Sequence, residues 1–105
     1  TLTINGDGEQ RRDFTYVGDV VSANIKASMS DKVGNGEILN VGNGDNRSVN
    51  DIAKMIGGPV IHNDPVIEPR ETLADNSKTR ELLDWKPTMN LEDWMPSYKK
   101  SLGLK

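Results

Sequence analysis

The chain has 105 residues, with 13 Lys and Arg against 16 Asp and Glu, a net charge of −3 and no cysteine. That length supports one core and not two, and the missing thiols exclude disulfides, thiolate zinc sites and a cysteine nucleophile. Leu, Ile, Val and Phe make only 24 residues, against 10 each of Gly, Asn and Asp, so a thin core is expected, part of it shared with another segment. Both charge signs are mixed along the chain and no basic stripe exists, so no nucleic-acid partner is expected. The one histidine, His62, excludes a two-histidine metal site. No apolar run approaches the ~18 residues of a membrane span and no secretory signal is present, so no membrane partner is expected and the predicted location is cytoplasmic. Thr1 opens directly into a strand pattern, which reads as a piece of a longer protein.

In chain order, Leu2 and Ile4 alternate on one face of a short strand. Gly6-Asp7-Gly8-Glu9 is a turn with two glycines able to take positive φ. Arg12 to Val17 alternates again, with Phe14 and Tyr16 on one side, and Asp19 is placed to cap a helix from 20 to about 29. After a polar loop, Glu37 to Val41 is a near-continuous apolar stretch, expected as a buried strand in a parallel sheet. Ser48 and Asp51 form a capping box, followed by Val49, Ile52, Ala53 and Ile56 at helical spacing. Gly57-Gly58-Pro59 stops that helix before a short strand, Val60 to His62. Asp75 or Ser77 caps a helix carrying Leu82 and Leu83, ended by Trp85-Lys86-Pro87. Asn90 and Asp93 cap the last helix, where Pro96 is expected to force a kink or a restart. The whole, residues 1–105, reads as one small mixed α/β domain.

The chemistry-bearing stretches are few. Gly42-Asn43-Gly44 before a helix resembles the start of a dinucleotide turn, but Arg47 stands where the third glycine belongs. It reads as a β-to-α turn. Gly6 to Phe14 reads as either a polar hairpin tip or an anion site in which Arg12 forks onto a phosphate and Asp13 orients it. His62 has no nameable partner and is read as structural or solvent-facing. Trp85 and Trp94 are read as core. Glu68, Arg70 and Asp75 are surface charges unless they face Arg12, in which case they make a polar pocket wall.

The order of these motifs carries more than any one of them. Leu2-Thr3-Ile4-Asn5-Gly6-Asp7-Gly8-Glu9-Gln10, then Arg12-Asp13-Phe14-Thr15-Tyr16-Val17 and Asp19-Val20-Val21, closely resembles the C-terminal segment of NAD-dependent nucleotide-sugar epimerases and dehydratases. These are the extended short-chain dehydrogenase/reductases, of which UDP-glucose 4-epimerase is the familiar type. Asn40-Val41-Gly42-Asn43-Gly44 with Ser48, Thr72 to Lys78, and Leu82-Leu83-Asp84-Trp85-Lys86-Pro87 with Leu91-Glu92 follow in the family's order.

The resemblance implies a C-terminal part that holds the diphosphate of a nucleotide sugar such as a UDP-sugar. The N-terminal Rossmann part would bind NAD and supply a Tyr-x-x-x-Lys pair. Ile4, Asn5 and Gly6 would run beside the nucleotide base, and Arg12 would bind the diphosphate. Position 5, often aromatic in relatives, is Asn5 here, and Val17-Gly18-Asp19 replaces Val-Asp-Asp. A second diphosphate arginine belongs near Pro65 or Val66; either Arg70, the only nearby cation, replaces it from a shifted loop, or that clamp is absent. The sequence contains no Gly-x-x-Gly-x-x-Gly, and Val20 and Leu102 stand four residues after Tyr16 and Tyr98, so neither NAD binding nor catalysis is expected of this chain alone. Its expected role is the substrate-side portion of such an enzyme. The alternative is a non-catalytic module that binds nucleotide sugars or self-associates as a homodimer or by segment swap.

Overall fold

The computed structural model describes residues 1–104. Its elements in chain order are β1 (Leu2–Asn5), β2 (Arg11–Arg12), α1 (Val17–Met29), β3 (Arg47–Ser48), α2 (Val49–Ile56), β4 (Val60–Asn63), α3 (Ser77–Leu83) and α4 (Leu91–Ser101). β1 and β4 pair in parallel, Leu2 opposite Val60 and Asn5 opposite Asn63. β2 and β3 pair antiparallel, Arg11 opposite Ser48 and Arg12 opposite Arg47. This is a small mixed α/β arrangement of four helices and two short sheets.

The locally specified elements form as the sequence predicts. Ser48 Oγ accepts from Asp51 N–H and the Asp51 carboxylate accepts from Ser48 N–H, both at 3.0 Å, closing the capping box of α2. Asn90 Oδ1 accepts from Asp93 N–H at 2.8 Å at the head of α4. α4 runs through Pro96 without restarting. The cap of α3 is neither Asp75 nor Ser77 but Asn76, whose side chain makes no cap bond; Asp75, one residue earlier, accepts from Ser77 N–H and Oγ–H, and the helix ends at Asp84, which takes a left-handed conformation with φ 52°.

Three further expectations fail, two for lack of a neighbouring strand and one because the residue has other partners. Of the alternating stretch Arg12 to Val17 only Arg12 is strand, paired together with Arg11 before it, because no described strand runs beside residues 13–16. Asp19 is not the cap of α1. That position belongs to Tyr16, and Asp19 lies within the first turn, 2% exposed. Glu37 to Val41 forms no strand, since no described segment offers it an edge. Leu39 and Val41 lean on the core, Ile38 is 83% exposed, and Asn40 O accepts from Thr79 Oγ1 at 2.6 Å instead of from a sheet partner.

The main core is Ala23, Leu83 and Trp85, with Ala27, Val33, Leu39 and Val41 packed around it. Asp19 fastens this core. Its carboxylate accepts from Thr88 N–H (2.9 Å), Thr88 Oγ1 (2.6 Å) and Met89 N–H (3.2 Å), while its carbonyl accepts from the indole N–H of Trp85 (2.9 Å). Four bonds from one residue pin the segment after α3 across α1.

The molecule is thin. Its extents are 50 × 33 × 15 Å and its radius of gyration is 16.5 Å, against about 13 Å for a compact domain of this length. Val17, Val21, Ile25 and Met29, spaced every fourth residue on α1, are all exposed. Among the described residues no helix is long and apolar enough to cross a membrane.

Replacing Asp19 by Asn keeps its size but turns an N–H donor toward amides that need an acceptor. Urea unfolding is expected to show a loss of roughly 1.5–3 kcal/mol, the worth of hydrogen bonds to a charged group. An unchanged midpoint would remove Asp19 from this role.

Candidate functional site

The glycine turn after β1 is built on the head of α2. Val49 N–H donates to Gln10 O (3.1 Å) and Asn50 N–H to Gly8 O (2.9 Å), so two of the helix's free amides are satisfied by the turn. Gly8 has φ +78°, a conformation that favours glycine, and a β-carbon there would also displace the Asn50 amide, 2.1 Å away. The far side of the turn is braced by the segment near residue 70. Arg11 N–H donates to Arg70 O (2.8 Å) and Thr72 N–H to Arg11 O (3.0 Å).

Between these walls lies a cleft of about 270 Å³, with Asn5, Gly6, Asp7, Gln10, Glu68 and Arg70 among its lining residues. Pro65, Val66 and Pro69 complete it. Two residues predicted from sequence therefore meet here with Arg70 opposite. Ile4 does not line it. It is 3% exposed and faces the other side of β1, toward Ala53. Arg12 is not among the lining residues; its side chain, 25% exposed, lies beside Glu68 of the wall. Its Nη2 lies 3.5 Å from Glu68 Oε2 and its Nη1 donates to Arg11 O at 2.7 Å.

Arg70 spends its fork on Asp7, with Nη1 and Nη2 donating to the two carboxylate oxygens at 2.8 and 2.9 Å. That bidentate bond, then the bond from Glu9 N–H, pulls the Asp7 carboxyl down to about 2. Both side chains are largely exposed, so the pair is a weak clasp that a stronger anion can displace.

Asp13 does not orient Arg12. Its carboxylate accepts from Asn43 N–H (2.9 Å), Gly44 N–H (3.0 Å) and Ala74 N–H (3.1 Å). It ties the Gly42-Asn43-Gly44 loop and the Ala74 segment to the arginine strand. Gly42 is needed there, since a β-carbon would fall 2.3 Å from Ala74 Cβ. Asp75 takes no part in the cleft. Arg47 is held by Asp45 and Glu92 and faces away from it. His62 is exposed, with Nδ1 2.7 Å from Gly6 O. Trp85 is core as expected. Trp94 is only half-buried, stacks on Tyr98 with ring centroids 4.4 Å apart and lines a second, aromatic cleft of about 280 Å³ with Phe14 and Tyr16. Gln10, on the cleft wall, went unrecognised in the sequence; its only signal was its place inside the motif.

Residues 1–97 match the family model described as GDP-mannose 4,6 dehydratase. An uncharacterized UDP-glucose epimerase of Bacillus subtilis (strain 168) is 37% identical over 99 residues, covering 88% of this chain and 31% of that protein. UDP-glucose 4-epimerase of Mycolicibacterium smegmatis is 34% identical over 100 residues, covering 89% and 31%. The structure of UDP-glucuronic acid 4-epimerase from Bacillus cereus, in complex with UDP-glucuronic acid and NAD, superposes with a TM-score of 0.80 at 37% identity, covering 95% of this chain and 35% of that one. The chain spans about a third of the length of the relatives it matches.

Arg70→Ala is expected to move the Asp7 midpoint upward from about 2 toward 3.8, read by carboxyl NMR during a pH titration. Because the folded value is lowered, the clasp's contribution is full above the unfolded value and is lost as pH falls through the folded one. A midpoint that stays put would assign the shift to Glu9 N–H alone.

Proposed function

Since the chain belongs to the GDP-mannose 4,6 dehydratase family, the nucleotide-sugar epimerases and dehydratases of the extended short-chain dehydrogenase/reductase type, we propose that it is the part that holds the nucleotide-sugar diphosphate. The observation that carries this reading is the cleft that joins the glycine turn to Glu68 and Arg70, with Arg12 tethered beside Glu68. A diphosphate suits such a site. The turn supplies a close backbone, and two guanidinium groups supply charge-assisted hydrogen bonds. Asn5 and Gly6 border the nucleotide, Ile4 supports them from the opposite face of β1, and Arg70 turns from Asp7 to the ligand.

NAD chemistry is not assigned to any residue here. The chain has neither a Gly-x-x-Gly-x-x-Gly turn nor a tyrosine with lysine four residues on, so its residues do not fit that cofactor. Its share of the reaction is to bind and orient the sugar donor. Residues 1–105 act as one domain in the cytoplasm on this reading.

A second reading concerns the chain by itself. The exposed α1 face, with Met29 81% exposed, and Ile38 beside the open 37–41 segment, favour self-association. Light scattering is expected to show a mass that rises with concentration toward a dimer. A constant monomer mass across a hundredfold range rejects this second reading.

The main test is a titration with UDP followed by NMR. Arg12→Ala is expected to weaken binding by about tenfold, the scale of one charge-assisted hydrogen bond. Arg47→Ala, whose charge is spent on Asp45 and Glu92, is expected to leave it unchanged. Equal losses from both would reduce the effect to general charge attraction and end the assignment.

A further inference from the structure

Gln10 is a buried polar side chain, 6% exposed, on the wall of the cleft. Its Nε2 uses both protons, one on Asn5 O at 3.0 Å and one on Glu68 Oε1 at 2.8 Å. Asn5 ends β1, and Glu68 comes from the far wall. The other oxygen of Glu68 lies 3.5 Å from Arg12 Nη2, and Arg12 Nη1 is tied to Arg11 O. The guanidinium is thus held at two corners and keeps its remaining N–H groups for an anion. The Gln10 backbone is fixed as well, by the bond from Val49 N–H at the head of α2.

Resting on the reading above, we infer that Gln10 is a positioning residue of the anion site: it clamps Glu68 to the end of β1, and through Glu68 it sets the Arg12 guanidinium. A primary amide on a two-methylene stem makes both bonds at once. An apolar side chain of the same size leaves Asn5 O and Glu68 without their donor, and Arg12 loses one of its two tethers.

The test uses the whole chain with UDP-glucose as probe, whose diphosphate carries no group that titrates between pH 5 and 8. Gln10→Leu and Glu68→Gln are each expected to weaken binding about three- to tenfold, the range of one hydrogen bond. The double variant is expected to lose no more than either single one, since both release the same arginine. Additive losses, an unchanged Gln10→Leu, or a gain on Glu68→Gln would each overturn the inference.

Gln10→Glu provides a readout that a merely structural role would not move. The charged groups around the site are Glu68 and Arg12 in contact, Asp7 and Arg70 in the cleft, Glu9 beside it, and Arg11 with Asp51 and Glu71 on the flanking segments. Two carboxyls against each other hold one proton at low pH, and the shared proton restores the bond to Glu68, though not the one to Asn5 O. Binding within about twofold of wild type at pH 5, falling about tenfold below it at pH 8, is expected for a bond of this kind. A profile parallel to wild type would overturn the inference. Thermal melts at both pH values check folding, and Glu68→Gln serves if a Gln10 variant fails to fold. Binding by wild type that Arg12→Ala weakens about tenfold while the Gln10 variants keep it rejects the inference alone. No binding by wild type rejects both it and the site.

Discussion

A backbone N–H removed from water must find an acceptor, and in this chain the acceptor is repeatedly a carboxylate rather than a neighbouring strand. Asp13 takes the amides of Asn43, Gly44 and Ala74. Asp19 takes those of Thr88 and Met89, and Glu37 those of Gly34 and Asn35. Asp51 and Asp75 serve the heads of α2 and α3. The two sheets are two-stranded, so these side chains do much of the work that a wider sheet would do through its ladder. The abundance of aspartate and asparagine is thereby explained: they fasten loops to one another over long sequence distances as well as turning the chain.

That also marks what was legible beforehand. The capping box of α2, the Asn90 cap and the alternation in β1 are written in adjacent residues, and they form as read. Asp19 was misread because a residue ready to cap a helix and a residue ready to bind a distant segment look alike in sequence. Its true partners lie 66 to 70 positions away. The apolar run ending at Val41 signals a strand, but a strand is a property of two segments, and its own side chains do not name the second. At the cleft, the arginines and the glycine turn were visible because cations and glycines announce anion chemistry. Asp13 was given to Arg12 on adjacency alone, whereas alternation along an extended chain sends the two side chains apart.

The thinness of the molecule follows from the same economy of regular structure. A layer 15 Å deep gives few positions where a side chain is covered from both sides, and the buried apolar set is accordingly small. α1 shows this most clearly. One face, through Ala23 and Ala27, packs on Trp85 and Leu83, with small residues allowing close approach. The other carries branched and long apolar residues facing water. The helix thus has two apolar faces, one packed and one open, a pattern suited to lying between two layers.

The seating of the glycine turn on α2 has a mechanical meaning. A loop that carries a binding site is ordinarily the softest part of a fold. Here Gly8 and Gln10 give their carbonyls to the first amides of a helix, and the other end of that helix is held by Lys99 of α4, whose Nζ donates to Met55 O at 3.2 Å. A push on the turn is therefore met by the helix, whose far end rests against α4. The turn is backed by that helix, and the cleft keeps its backbone shape while the exposed Arg70 side chain can leave Asp7.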